Sequence, residues 1–199
     1  MIMEEVEEAK KFVKENGVIV YPTETAYGIG GNALSKEVID RVYESKQRPR
    51  SKGLTAIASS LEMAEEYANL TEAEIAVIEE FMPGPLTLVA ERKDNVPDEL
   101  NDSFVFRISS SPIARELAEE KPLIATSANI SGESTSYSVD DISEKLLDKV
   151  DFVLDKGRLP KGPTSTIAEI EDGEVFIHRK GPISHEELEA VLDDRSIHN

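Results

Sequence analysis

Lys46-Gln47-Arg48-Pro49-Arg50-Ser51-Lys52 packs four cations into seven positions of a chain with a formal net charge of −18. The spacing of Lys46 and Arg48 suits two neighbouring phosphates, one met by a compact ammonium and the other by a bidentate guanidinium. No Asp or Glu occurs from Ser45 to Leu61, although the chain contains 40 of them. Cations this close repel one another unless an anion faces them. Acids are also missing from Ser103–Arg115, which holds Arg107, and from the uncharged run Pro122–Gly132. They are missing again from Lys156–Ala168 and from Val175–His185, which holds Arg179 and Lys180. A single run of this kind is an ordinary solvated basic face. Recurrence in separate segments predicts one pocket for an anionic ligand.

Neutral donors accompany the cations. Pro22–Ala33 holds hydroxyls, the carboxylate of Glu24 and three glycines, which let backbone N–H groups approach a ligand. Its Gly28-x-Gly30-x-x-Ala33 is formally a dinucleotide fingerprint, but the six residues Pro22–Tyr27 remove the required tight strand-to-glycine turn. Ser127-Ala128-Asn129-Ile130-Ser131-Gly132 and Gly162-Pro163-Thr164-Ser165-Thr166 offer hydroxyls and an amide after strands. Read alone, either is an ordinary polar turn. The histidines are His178, His185 and His198, none placed for a Ser-His-Asp arrangement, and His178 alternates with Arg179 on a strand as a surface or satisfied residue. A metal cage is unsupported, although Mg²⁺ arriving with a nucleotide needs few protein ligands.

The elements that must hold these residues read as an α/β chain. A helix is expected over Glu4–Glu15, a buried strand at Val18–Tyr21, and a glycine-rich loop from Pro22 to the N-cap Ser35. Further helices are expected over Lys36–Ser45, after Ser60 and Thr71, from Ser111-Pro112 to Glu119, from Ser138 to Val150 and from Ser184 to Leu192. Strands are expected at Leu54–Ala58, Leu86–Glu91, Phe104–Ile108, Leu123–Thr126 and Phe152–Leu154. Thr166–Ile170 and Glu174–Ile177 flank the hairpin signal Glu171-Asp172-Gly173. The reading is a single α/β domain over residues 1–199, with its motif-bearing core at about 5–193 and a fraying polar end. Its sheet is expected to be mixed and twisted, with flanking helices and ligands just beyond strand ends.

Composition narrows the class. At 199 residues with 39 % dispersed apolar residues, the chain can bury a core and predicts neither disorder nor a membrane span. Its start lacks a cationic region followed by an apolar one, so no signal peptide is expected. There is no cysteine, which excludes disulfides, thiolate catalysis and cysteine-based zinc sites and predicts a cytoplasmic protein. A pI near 4.6 disfavours diffuse nucleic-acid or membrane binding.

Taken in order, the motifs resemble the signature of the YrdC-like family. They are Tyr21-Pro-Thr-Glu-Thr-Ala-Tyr-Gly-Ile-Gly30, Lys46-Gln-Arg-Pro49 with Lys52-Gly-Leu54, and Pro83-Gly-Pro-Leu-Thr87. Val105-Phe-Arg107, Ser127-Ala-Asn-Ile-Ser-Gly132, Ser165-Thr-Ile167 and Arg179-Lys-Gly181 complete them. The resemblance runs from about Tyr21 to Gly181. It implies a twisted α/β fold around a positively charged cavity and an L-threonylcarbamoyladenylate synthase, a nucleotidyltransferase. Such enzymes use L-threonine, bicarbonate and ATP with Mg²⁺, release pyrophosphate, and feed the threonylcarbamoyl-transfer machinery that modifies tRNA.

By the same resemblance Lys46, Arg48, Ser127 and Asn129 form the catalytic set. Lys46, Arg48, Lys52, Ser103, Ser127, Thr135 and Arg179 would meet ATP, and Thr23, Arg107, Ala125 and Ser165 would meet L-threonine. Lys52-Gly53-Leu54 followed by Ile57 departs from members with Asn-Pro-Leu and a histidine, so no histidine role is expected. Some members carry a further C-terminal domain, which the short stretch after Gly181 does not suggest here. The rival reading is an RNA- or tRNA-binding module using the same cavity without chemistry, and a third is a nucleotide-sensing domain. The net charge and the 6 % aromatic content disfavour RNA as more than a weak ligand.

Overall fold

The computed structural model describes residues 2–196. Helix α1 (Ile2–Lys14) carries acids in its first turn and lysines in its last, complementing its dipole. It buries Val6, Ala9 and Val13. Strand β1 (Ile19–Pro22) is wholly buried and pairs antiparallel with β2 (Tyr27–Gly30). The stretch expected to be a glycine-rich loop thus contains a strand. Glycine hides it from propensity, yet close approach requires glycine there. A methyl group at Gly30 would come within 1.8 Å of the Ile124 carbonyl oxygen.

Ser35 caps α2 (Lys36–Lys46) by accepting from Val38 N–H, and Gln47 ends it at a left-handed φ of 49°. Then follow β3 (Ala56–Ala58), α3 (Leu61–Tyr67) capped by Ser60, and α4 (Glu72–Phe81) with a Thr71–Glu74 capping box. Strands β4 (Leu86–Ala90) and β5 (Phe104–Ile108) lead to α5 (Pro112–Leu117), which has Ser111 as cap and proline at its start. The single strand expected at Leu123–Thr126 is two, β6 (Leu123–Ile124) and β7 (Thr126–Ser127).

The helix expected from Ser138 to Val150 is also divided. A 3₁₀ turn (Val139–Asp141) is followed by extended Ile142 and by α6 (Glu144–Leu147). Asp141 accepts from the N–H groups of Tyr137 and Ser138 and pairs with Arg158 at 3.1 Å, so local bonds compete with helix continuation. Strand β8 (Phe152–Val153) precedes the hairpin of β9 (Thr166–Glu171) and β10 (Glu174–Arg179), whose turn holds Asp172 and Gly173 at positive φ. Helix α7 (His185–Ser196) runs past Leu192. Residues 193–196, where the polar end was expected to fray, continue the helix, and the rest of that end, with His198, falls on residues 197–199, outside the described residues.

Two sheets replace the single one expected, ordered β7-β2-β1-β8 and β10-β9-β4-β5-β3-β6. They meet at Leu123–Ser127: β6 pairs with β3 and β7 with β2, so one short segment serves both sheets. The buried Tyr21 hydroxyl donates to Ile124 O at 2.7 Å and fastens the junction. On the larger sheet Leu86, Leu88, Phe104, Phe106 and Ala168 alternate into the main core. A second core joins α1 and α5 to β1, with Val6, Ala9, Ile19, Tyr21 and Leu117. No helix among the described residues is long and apolar enough to cross a membrane.

Candidate functional site

The residues that alternate away from the main core on the six-stranded sheet face a cavity of about 590 Å³. Strand β5 contributes Val105 and Arg107, with Ser103 just before it, β4 contributes Thr87 and Val89, and β9 contributes Ile167 and Glu169. The site therefore lies on a sheet face, rather than only beyond strand ends. Opposite stand Thr23 and Thr25 of the β1–β2 turn, Ala125 to Ser127 at the junction, Arg48 with Gly53 to Thr55, and Thr135.

His178 and Arg179 would point to opposite faces of a regular strand. The β10 register shifts between Ile177 and Arg179, and both residues border the cavity. His178, expected to be a surface residue, meets Glu169 at 2.6 Å across the strand pair.

Nine of the predicted site residues converge here: Thr23, Arg48, Ser103, Arg107, Ala125, Ser127, Thr135, Ser165 and Arg179. Lys46, Lys52 and Asn129 do not form its wall. Lys46 ends α2 with 1 % exposure, its ammonium donating to the carbonyls of Ser127 and, at 2.8 Å, Asn129. Its own carbonyl accepts from Ser131 N–H at 2.8 Å. Burial and, second, the charge of Arg48 lower its pKa to about 7. The lysine expected to meet a phosphate braces the Ser127–Ser131 loop.

Asn129 faces inward, its amide nitrogen donating to Ile130 O and Glu133 O, while its buried Oδ1 has no partner. Lys52 is exposed; its carbonyl and that of Gly53 accept from Arg48 at 2.7 and 2.8 Å, so the loop aims the Arg48 guanidinium. Arg50 leaves the cluster altogether, stacking on Tyr43 and pairing with Asp40. The cationic run is thus dispersed over a strut, a cavity wall and a solvated ion pair, which removes the main support for an RNA-binding patch.

Arg107 is buried and pairs with Glu24 at 2.6 Å, and Ser109 donates to the other oxygen of Glu24. Glu24 was visible in sequence as one acid of the polar loop and of the Tyr21–Gly30 motif, with nothing to indicate a partner 83 residues away. Arg179 donates to Ser165 O through Nε and Nη2 and to Ser165 Oγ through Nη2 at 3.0 Å. Burial and the nearby charge of Arg107 lower its pKa, as expected of guanidiniums sharing one cavity. The Thr23 hydroxyl donates to Ala26 O at 2.7 Å and accepts from Thr25 and Ala26 N–H, so it shapes its own turn. The adjacent Thr25 also lines the wall. Among the described residues no group of three His, Cys, Asp or Glu converges.

The chain is similar to several known proteins. The chain is 36 % identical over 180 residues to a putative threonylcarbamoyl-AMP synthase of Methanocaldococcus jannaschii, covering 90 % of this chain and 86 % of that protein. It is 33 % identical over 196 residues to a threonylcarbamoyl-AMP synthase of Pyrococcus abyssi, covering 96 % of this chain and 58 % of the relative. The structure of P. abyssi Sua5 complexed with L-threonine superposes with a TM-score of 0.86 at 33 % identity, over 94 % of this chain and 56 % of that one. Escherichia coli YciO, at 24 % identity and a TM-score of 0.82, shares the fold over 94 % of both chains. The Sua5/YciO/YrdC family model, described as telomere recombination, matches residues 11–181, which span every strand and the whole cavity wall. The chain belongs to the Sua5/YciO/YrdC family.

Proposed function

We propose that this protein is a threonylcarbamoyl-AMP synthase, a nucleotidyltransferase that joins L-threonine, bicarbonate and ATP with release of pyrophosphate. The observation that carries the reading is the convergence of Arg48, Arg107 and Arg179 with Ser127 and Ser165 on one cavity. That cavity lies in a chain similar to a Sua5 crystallised with L-threonine.

Arg107 is assigned the amino-acid carboxylate, and Glu24 keeps its guanidinium oriented and locally balanced. Threonine's amine, as the free base, forms an N–C bond to the carbon of carbon dioxide and releases its proton to solvent, giving a carbamate; with bicarbonate as the carbon source, one water leaves as that bond forms. A carbamate oxygen then attacks the α-phosphorus of ATP, the bond to the bridging oxygen breaks, and pyrophosphate leaves. Such a transfer needs aligned reactants and cations on developing charge more than a protein nucleophile. Arg48 and Arg179 supply fixed guanidiniums, and Ser103, Ser127 and Thr135 supply hydroxyls for the nucleotide. Lys46 acts through the Ser127–Asn129 loop that it holds. Magnesium enters with the nucleotide as part of the substrate.

The product would pass to the machinery that modifies tRNA, in the cytoplasm, with direct RNA contact weak. The test is to omit each of L-threonine, bicarbonate and MgATP in turn. Pyrophosphate release should require all three, and release unaffected by removing threonine would overturn the reading.

A further inference from the structure

We propose that Thr87 is a positioning residue that sets the Ser165 hydroxyl as a hydrogen-bond donor toward an anionic oxygen of the bound ligand. The proposal rests on the reading above, in which that oxygen belongs to the carboxylate of L-threonine. Thr87 lies on the cavity side of β4, only 2 % exposed, and its hydroxyl oxygen is 2.7 Å from that of Ser165, itself 3 % exposed. The strand does not need a hydroxyl at this position, because valine has the same shape and an equal preference for strands.

A hydroxyl has one hydrogen and two lone pairs, whereas a guanidinium can only donate. Arg179 Nη2 therefore fills one lone pair of Ser165 Oγ. Were Ser165 to donate to Thr87, its remaining lone pair would be left for the ligand. When Thr87 donates instead, both lone pairs are filled and only the Ser165 hydrogen remains to be offered. Arg107 and Arg179 beside it favour an oxygen anion, which requires donors. The bound state therefore selects the arrangement in which Thr87 donates. No other hydrogen bond of the Thr87 hydroxyl competes among the described residues.

The test is calorimetric titration of the full chain with L-threonine, for wild type, Thr87→Val, Thr87→Ser, Ser165→Ala and the Thr87→Val/Ser165→Ala pair. Thr87→Val should weaken binding roughly two- to tenfold, the worth of one neutral hydrogen bond. Thr87→Ser should restore wild-type affinity. In the Ser165→Ala background Thr87→Val should have no further effect, because Thr87 acts only through Ser165. Unchanged binding by Thr87→Val, or an equal loss with and without the Ser165 hydroxyl, would overturn the inference alone. Absence of L-threonine binding by wild type would overturn the proposed function and the inference with it. Should Thr87→Val not fold, Thr87→Ala removes the same hydroxyl without added bulk and completes the same cycle.

Discussion

Lys46 holds its ammonium against two backbone carbonyls in an interior that lowers its pKa to about 7. Its ordinary value is 10.5, so between about pH 7 and pH 10 the unfolded chain binds more protons than the folded one. Folding stability contributed by this residue therefore rises with pH across that window, by at most about 1.4 kcal/mol per pH unit. The phenols of Tyr21 and Tyr27 are raised by burial, Tyr27 to about 12, and reverse the trend above about pH 10. Denaturant unfolding from about pH 7.5 to about pH 9 should show a steeper rise for wild type than for Lys46→Met; equal slopes would count against the buried-strut placement. At Arg107 the prediction concerns substrate choice. A wall that pairs the carboxylate and hydrogen-bonds the side-chain hydroxyl should prefer threonine, accept serine roughly ten- to two-hundredfold less well for want of a methyl group, and reject valine most strongly. Equal pyrophosphate release with threonine and valine would mean that the wall does not read the hydroxyl. The cations and hydroxyls of this site were legible as residue types; Glu24 and Thr87 stood within quoted motifs, but their roles were not legible, because each matters through a partner that only the fold supplies.

Among the elements, β2 and the Leu123–Ser127 crossing decide how the two sheets meet. Tyr21→Phe deletes the hydroxyl that donates to Ile124 O and leaves that buried carbonyl unsatisfied, which should cost about 1–3 kcal/mol. Gly30→Ala places a methyl group against the same carbonyl, and the strain should be at least as damaging, about 1–3 kcal/mol or more. Thermal unfolding of both variants checks this, and a wild-type midpoint for Gly30→Ala would contradict the close approach. Helix starts were readable because Ser35, Ser60, Thr71 and Ser111 cap by local chemistry that the sequence carries on its own. Phe104–Ile108 was readable because it is a short run rich in aromatic and β-branched residues. Strand β2 was not, since glycines chosen for close packing lack strand propensity. The interrupted helix after Ser138 was not either, since Asp141 turns its carboxylate back on the chain.

Over the whole molecule, a net charge of −18 surrounds a cavity lined by three arginines. Separate acid-free segments of the sequence, those around Arg48, Arg107, Ser127 and Arg179, do become one wall, so the site was legible as a pattern of exclusion. Its division between two sheets was not, because no local signal marks Ala125 as the point where one strand becomes two. The long-range field repels polyanions, so any tRNA binding should be weak and fall steeply as salt rises. Binding tighter than about 1 μM at near-physiological salt would contradict that expectation. In the proposed reaction a carbamate, and not the threonine carboxylate, is the group adenylated. Incubating the protein with ¹³C-bicarbonate, L-threonine and MgATP and weighing the adenylate by mass spectrometry tests it most directly. The product should be a threonylcarbamoyl adenylate that carries the label, whereas an unlabelled threonyl adenylate, or ATP cleavage that proceeds without bicarbonate, would rule out adenylation of a carbamate.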